Sequence, residues 1–220
     1  MTIVNGMELI VASCPTVLLE FLHHGCDSNN YNAVQLPWSL DLSLIAQLQE
    51  LQHLELRGIR IGSLVAPEGC NLNHQSNDHG IPSFILTQHT LQTLDLSSNS
   101  LTGSIPVRML HNVSSVLRLR SNMFSGNFPQ GYRNVVSPLV ELDTSCNHFG
   151  GPLPLNIDAL FPKLYNFNVS TNRLNGTIPP SFGELTNLQH LDLSNNQLVG
   201  KVPRHLTEKL FVVVPKSVEQ

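Results

Sequence analysis

Polar and charged side chains recur at nearly equal intervals from residue 95 to residue 192 of the sequence. One recurring position holds Asp95, Arg118, Asp143, Asn168 and Asp192, with intervals of 23, 25, 25 and 24 residues. Carboxylates and guanidinium groups can bind a polar partner through ion pairs and charge-assisted hydrogen bonds. The same groups can instead neutralise one another as a surface ladder, in which each pair contributes less than about 1 kcal/mol. Both interpretations need a fold that places residues of successive intervals side by side.

Further polar residues lie close to this recurring position and extend the candidate binding strip. Arg118 and Arg120 are the stronger candidates for contact with a partner, because arginine is less expected than aspartate in this repeated text. The predicted ligand-binding residues are Asp95, Arg118, Arg120, Glu141, Asp143, Arg173, His190 and Asp192.

The element that positions these residues is an internal repeat of about 24 residues. Its five lines read "LDLSSNSLTGSIP", "LRLRSNMFSGNFP", "LDTSCNHFGGPLP", "FNVSTNRLNGTIP" and "LDLSNNQLVGKVP". The L-x-L core alternates with a period of two, which predicts a short strand with one apolar face. Successive strands are expected to lie parallel at a spacing of about 4.8 Å. Asp95, Arg118 and Asp143 should then form a row of alternating charge.

Three other positions of the repeat have predictable structural roles. The amide of an Asn can bond backbone groups at both ends, and we expect an asparagine ladder inside the stack. Its members are Asn99, Asn122, Asn147, Asn172 and Asn196. The Gly permits a backbone conformation that a β-carbon would hinder, and the Pro after it turns the chain away. One unit cannot bury its apolar side alone, so the units must stack.

This pattern resembles the plant extracellular subfamily of leucine-rich repeats, L-x-x-L-x-L-S-x-N-x-L-x-G-x-I-P, over residues 88–203. It is similar in particular to plant receptor-like proteins, in segments such as "IPSFILTQHTLQTLDLSSNSLTG" and "LVELDTSCNHFGGPLP". The resemblance implies an α/β-type repeat solenoid. In that fold a curved leucine-rich repeat stack has a concave parallel β-sheet and an irregular or short-helical convex side.

The repeats divide the chain into four predicted regions. Residues 1–47 are expected to be an irregular or helical segment that acts as a partial cap, and "SLDLSLIAQLQEL" is a candidate helix within it. Residues 48–87 are degenerate repeats, with Ile59 where the Asn should stand and a polar insertion "QSNDHG". Residues 88–206 are five plant-type repeats. Residues 207–220 are predicted to be a short uncapped tail whose apolar "FVVV" is exposed.

The resemblance also implies a function, which is recognition rather than catalysis. It implies a protein or peptide ligand, a co-receptor kinase as partner, and a place at the plasma membrane or outside the cell, in defence or developmental signalling. The sequence lacks the paired-cysteine cap of full-length relatives. We therefore expect an internal fragment, a truncated gene copy or an incomplete gene model. Two alternatives stay open: a soluble cell-wall inhibitor of a microbial hydrolase, and a truncated copy without function.

Composition and motifs exclude several other classes. The net charge of −4 argues against nucleic acid. No apolar run reaches the roughly 18–20 residues of a membrane span, and no basic region precedes the apolar start, so neither an anchor nor a signal peptide is predicted. We find no catalytic motif set and predict no cofactor. No metal site is predicted either, because these residues match no zinc spacing: His23, His24, Cys26, Cys70, His74, His79 and His89.

Three sequons for N-glycosylation are present, at Asn112, Asn168 and Asn175. Asn112 and Asn175 are the favoured sites, because a glycan on Asn168 would obstruct the concave sheet. The four cysteines are too few for a disulfide scaffold. A Cys14–Cys26 bridge and unpaired or buried thiols both fit the sequence, which leaves the state of Cys70 and Cys146 open as well.

Overall fold

The chain folds as a stack of short turns, each of which returns to the same face. A computed structural model describes residues 2–4, 7–12, 16–20, 51–58, 80–130, 136–207 and 212–219 of the 220-residue chain. The candidate helix at 39–51 lies outside these ranges except for Leu51, and the polar insertion at 75–80 lies outside them except for Gly80. The predicted solenoid with a parallel sheet is confirmed over the repeats.

Within the described ranges, the larger of two sheets runs through the whole stack. Its ten strands are, in spatial order, β1 (Thr2–Val4), β2 (Met7–Ala12), β3 (Thr16–Glu20), β4 (His53–Arg57), β5 (Thr93–Asp95), β6 (Val116–Arg118), β8 (Glu141–Asp143), β10 (Asn166–Asn168), β12 (His190–Asp192) and β14 (Val212–Val213). From β3 onward every neighbouring pair is parallel. Each repeat therefore contributes one strand to this sheet.

The start of the chain differs from the predicted irregular or helical segment. Strands β1, β2 and β3 pair antiparallel with one another, and β3 then pairs parallel with β4. Their sequences "TIV", "MELIVA" and "TVLLE" are rich in residues that favour strands. Asn5-Gly6, between β1 and β2, is a strong hairpin signal. Strand propensity and turn chemistry together explain the difference.

A second sheet, which the sequence analysis did not predict, has four strands that follow Asn122, Asn147, Asn172 and Asn196, and a fifth strand near the C-terminal end. Its parallel strands are, in spatial order, β15 (Val218–Glu219), β13 (Gln197–Lys201), β11 (Arg173–Thr177), β9 (His148–Pro152) and β7 (Ser125–Asn127). The repeat glycine lies within these strands and has positive φ, as at Gly151 with φ of 72°. A side chain there would force a strained backbone, so glycine keeps this sheet in register.

Short helices occupy the return segments of the turns. They are α1 (Ser83–Leu86), α2 (Met109–Asn112), α3 (Ile157–Leu160), a 3-10 helix η1 (Pro180–Glu184) and α4 (Arg204–Thr207). Proline begins η1, where its fixed φ suits a helix start. These segments agree with the short-helical side that the repeat pattern implies.

The core lies between the larger sheet and the return segments. Equivalent strand residues stack in register from one repeat to the next and are fully buried, namely Leu54, Leu94, Leu117, Leu142, Phe167 and Leu191. Phenylalanines connect the middle repeats: the rings of Phe128 and Phe167 meet edge to face at 5.8 Å. A fully buried Leu or Phe stabilises the fold by about 1.5–3 kcal/mol, so the stack is held mainly by this column.

The C-terminal end also differs from the predicted uncapped tail. Strand β14 pairs with β12 and β15 pairs with β13, so residues 212–219 form a further partial turn. The Ser217 hydroxyl donates to the Leu198 carbonyl, and Val218 is buried. Val213 remains half exposed, at 50%. The short apolar run thus covers the last full repeat instead of standing free.

One backbone position in every repeat is strained. The residue before each ladder asparagine has φ between 53° and 58° and is, in order, Ser98, Ser121, Cys146, Thr171 and Asn195. A β-branched residue is disfavoured in this left-handed region, which asparagine tolerates.

We therefore expect Thr171→Asn to stabilise the chain by about 1 kcal/mol. Urea unfolding followed by circular dichroism measures this. Thr171→Val is the control that keeps the branch and should give no gain, and a Thr171→Asn variant less stable than the parent would contradict the expectation.

Candidate functional site

The recurring polar positions form one exposed surface on the larger sheet, which we call the concave face and define by strands β4 to β14. Strand register places Asp95 beside Arg118 and Arg118 beside Asp143. Asn168 lies between Asp143 and Asp192. The fold therefore brings the predicted row together, although the contacts within it differ from the expected alternation.

The first difference concerns Asp95, which is buried and held by an arginine absent from the predicted strip. The side chain of Asp95 is 1% exposed, and its Oδ2 lies 2.6 Å from Nη2 of Arg57. The Arg57 Nε donates to the same oxygen at 2.8 Å. Glu55 lies 3.6 Å from Arg57 on the same strand. The sequence signal for Arg57 and Glu55 was weak. Their segment "LELR" belongs to a degenerate repeat, from which the sequence analysis aligned the leucines but did not assign the charged residues to the polar strip.

Arg118 contacts mainly Glu141. The Nε of Arg118 donates to Glu141 Oε1 at 2.6 Å, whereas its Nη1 is 3.8 Å from Asp95 Oδ2. The hydrogen bond to Glu141 raises the pKa of Arg118, against the opposing effect of its partial burial. The expected ladder of Asp95, Arg118 and Asp143 is thus a cluster of Glu55, Arg57, Asp95, Arg118 and Glu141, which we call the ion-pair cluster.

The recurring Asp or Asn has a structural role in its own turn. Its Oδ1 accepts a hydrogen bond from the backbone N–H two residues later, at 2.9–3.0 Å. The pairs are Asp95 with Ser97, Asp143 with Ser145, Asn168 with Ser170, and Asp192 with Ser194. Such side-chain turns explain why short acidic or amide residues recur at this position. Much of the repeated "LDLS" text therefore specifies the fold.

The burial of Asp143 has an electrostatic consequence. Burial raises the pKa of Asp143, against the hydrogen bond from the Ser145 N–H and the charge of Arg120. A raised folded-state pKa means that ionised Asp143 disfavours folding above that pKa, and that this penalty disappears below the ordinary Asp value of about 3.9.

We therefore expect Asp143→Asn to stabilise the chain at pH 7, with the gain shrinking as the pH falls towards about 3.9. Asn168 already fills the same position in the next repeat with the same turn. Urea unfolding at pH 7 and at about pH 3.9 measures the effect. The protein is made in a bacterial host, because the substitution creates an Asn-Thr-Ser sequon and a glycan there would change the stability for another reason. An equal change at both pH values would contradict the electrostatic cause.

The other end of the concave face carries apolar and aromatic side chains, which we call the aromatic end: Val140, Tyr165, His190 and Val213. Tyr165 is 40% exposed, and its ring meets that of His190 at 5.5 Å, edge to face. Val140 precedes β8, and the Tyr165 N–H donates to its carbonyl at 2.8 Å. Of these residues the sequence analysis proposed only His190. The exposed Val140 and Tyr165 occupy a variable repeat position that carries no pattern of its own.

The remaining predicted residues lie in different places. Arg120 is exposed just after β6, on the concave face. Arg173, however, lies in β11 of the smaller sheet, so its placement on the concave face was wrong. The chain has already turned at Thr171 and Asn172 before it reaches Arg173, which the sequence alone did not show. Asn175 lies on the same strand and is exposed.

The ladder asparagines connect each repeat to the one before it. Asn147 is representative: its Oδ1 accepts from the Phe124 N–H at 3.0 Å, and its Nδ2 donates to the Leu119 carbonyl at 3.0 Å. The same amide also bonds carbonyls of its own turn. Matching bonds to the preceding repeat are made by Asn99, Asn122, Asn172 and Asn196.

Other kinds of site find no support in the part of the chain that the structure describes. No cluster of metal-ligating side chains is present there. Of the histidines and cysteines considered as ligands, only His89 is described, and it is exposed. Cys146 is a reduced thiol and is partly buried, while Cys14, Cys26 and Cys70 lie outside the described residues. No described helix has the length and apolar character needed to cross a membrane.

Comparison with known proteins agrees with this architecture. The family profile described as "Leucine Rich Repeat" matches residues 90–111, 163–185 and 187–208. The chain is 42% identical over 126 residues to "Receptor like protein 21" of Arabidopsis thaliana and 39% identical over 137 residues to "Receptor-like protein 14". These alignments cover 56% and 61% of the chain but 12% and 14% of the relatives. The chain thus spans a small part of their length.

Solved structures of plant receptors have the same fold. The structure titled "Crystal structure of PEPR1-AtPEP1" is 29% identical to this chain, with a TM-score of 0.57. The alignment covers 78% of this chain and 22% of the chain in that structure. The Arabidopsis receptor kinase HAESA, solved with the peptide hormone IDA and the co-receptor SERK1, is 27% identical to this chain, with a TM-score of 0.52. That alignment covers 79% of this chain and 31% of the HAESA chain. With its L-x-L strands, asparagine ladder and second sheet, this chain has the leucine-rich repeat fold, and its similarity is to the plant receptor-like proteins.

Proposed function

We propose that the concave face binds a peptide or protein ligand, and that the chain does so as part of a plant receptor-like protein outside the cell. The observation that carries this proposal is the aromatic end. Val140 and Tyr165 are 37% and 40% exposed in adjacent repeats, beside the charged and amide side chains of the same face. Exposed aromatic side chains with neighbouring apolar groups are typical of the residues that dominate protein interfaces.

The structural relatives support the class of ligand and the class of partner. PEPR1 is named together with AtPEP1, and HAESA was solved with a peptide hormone and a co-receptor. By analogy, we propose a peptide ligand and a co-receptor kinase that supplies the signal, in defence or in development. Both guanidinium groups of the ion-pair cluster already contact carboxylates within it, so the aromatic end supplies the better contact residues. We propose the exposed Arg120 as a further contact residue beside it.

The test is selection of random peptides displayed on phage against the whole chain. Tyr165→Ala is expected to weaken the selected peptides by about tenfold or more, which is about 1.4 kcal/mol. Leu155→Ala is the matched control, because Leu155 is 80% exposed but lies before α3 on the return segment. Peptides that bind both variants equally well would contradict the proposed face. A panel of microbial cell-wall hydrolases is tested in parallel, and inhibition of one of them at the same face would favour the inhibitor alternative.

A further inference from the structure

Asn168 is the sequon residue that lies in the middle of the concave face. We propose that Asn168 carries an N-linked oligosaccharide that covers the aromatic end and thereby limits the access of a ligand to it. This rests on the proposed extracellular function, because sequons are used only in proteins that enter the secretory route.

The hydrogen bonds of Asn168 leave the correct atom available. Its Oδ1 accepts from the Ser170 N–H at 3.0 Å and from the Ser170 hydroxyl at 2.7 Å. These two bonds fix the carboxamide through its oxygen. The sugar attaches to the other atom, Nδ2, which makes no hydrogen bond within the described part of the chain. Since Asn168 is partly exposed, the folded chain can hold a glycan there without losing a bond.

The other two sequons differ from Asn168, Asn112 in the bond of its Nδ2 and Asn175 in its place in the fold. The Nδ2 of Asn112 donates to the Leu86 carbonyl at 2.9 Å, so a sugar there would replace one hydrogen of an atom engaged in packing α2. Asn175 is exposed, but it lies on β11 of the smaller sheet, next to Pro152 and Gln197. A glycan on Asn175 therefore stands away from the concave face. Of the three residues, only Asn168 connects glycosylation to the candidate ligand site.

The position of Asn168 determines which residues its glycan covers. Tyr165 lies three residues earlier, about 10 Å away at the usual rise of a strand. His190 pairs with Asn166, two residues before Asn168 on the same strand. An oligosaccharide of several sugars is longer than these distances and wider than the strand spacing of about 4.8 Å. It would therefore shield Tyr165 and His190 and not only its own strand.

The first measurement is the intact mass and the glycopeptide map of the whole chain, expressed with an added secretion leader in insect cells. Asn168→Asp is the main variant, because Asp192 makes the same pair of bonds with Ser194, at 3.0 and 2.7 Å, so the turn is kept. Ser170→Ala removes the sequon without adding a charge, and Asn175→Gln is the control at the other sheet. The expected result is the loss of one oligosaccharide from the Asn168→Asp and Ser170→Ala proteins.

The second measurement is hydroxyl-radical labelling of Tyr165 and His190, read by mass spectrometry. Labelling should rise when the sequon at Asn168 is removed and stay unchanged in Asn175→Gln. A secreted chain without sugar on Asn168, or labelling that does not respond to its loss, overturns the proposal. The peptide selection is repeated on Asn168→Asp. If the glycan is present and shields Tyr165 but no peptide binds the uncovered face, the proposed function fails while this assignment stands.

Discussion

Replacing Asn147 with alanine is expected to destabilise the chain by about 3 kcal/mol or more. The residue is buried, and its amide serves the Phe124 N–H and the Leu119 carbonyl of the preceding repeat at 3.0 Å each. Alanine leaves these backbone groups buried without that partner, and each such group destabilises by about 1–3 kcal/mol. Urea unfolding followed by circular dichroism measures the loss.

Two further variants make this result specific. Asn175→Ala removes an exposed asparagine from β11 and should change stability by less than about 0.5 kcal/mol. Asn147→Asp keeps an acceptor for Phe124 but loses the Nδ2 donor and places a carboxylate against carbonyl oxygens. It should therefore destabilise at least as much as alanine. If Asn147→Ala behaved like Asn175→Ala, the ladder would contribute little to the contact between successive repeats.

Replacing Arg57 with methionine is the second large expected effect, at about 3 kcal/mol. The substitution leaves the buried Asp95 carboxylate with the Ser97 N–H and with Arg118 at 3.8 Å. Arg57 is itself 33% exposed, which puts the expected loss at the lower end of the range for broken buried pairs. Arg118→Met should cost only about 1 kcal/mol, because Glu141 is 22% exposed and stays solvated.

A double-mutant cycle isolates the ion pair. Asp95→Asn keeps the acceptor for Ser97, as Asn168 does for Ser170, and removes the charge. The double variant of Arg57→Met with Asp95→Asn should recover part of the loss, with a coupling energy of about 1–3 kcal/mol. The proteins are made in bacteria, because Asp95→Asn creates a sequon. Additive effects of the two substitutions would show that the pair does not stabilise the fold.

The repeat period made the larger sheet and the asparagine ladder predictable. Leucines at strand spacing and an Asn at a fixed offset leave few other ways to bury the apolar side. The smaller sheet was not predictable in the same way, because "HFGGP" and "RLNGT" contain too few alternating residues to be told from a turn. Arg173 was misplaced for that reason.

The candidate site was less predictable than the fold, because its contacts depend on side-chain reach across strands. The sequence placed Arg118 beside Asp143, and the register agrees. The guanidinium nevertheless reaches Glu141, on the other side of Leu142 along β8. The sequence analysis missed Arg57 because its repeat has Ile59 at the asparagine position, which weakens the repeat pattern around it.

The parallel register of the larger sheet also fixes a unit of length for any ligand that crosses its strands. Equivalent side chains of neighbouring repeats recur about every 4.8 Å. A peptide in the polyproline II conformation presents the same face every third residue, or about every 9.3 Å. That distance is close to two strand spacings, so such a peptide meets every second repeat with every third side chain. Glu141 and His190 are equivalent in register and lie two strand spacings apart on this face. A peptide that contacts both would therefore carry its two anchor residues three positions apart.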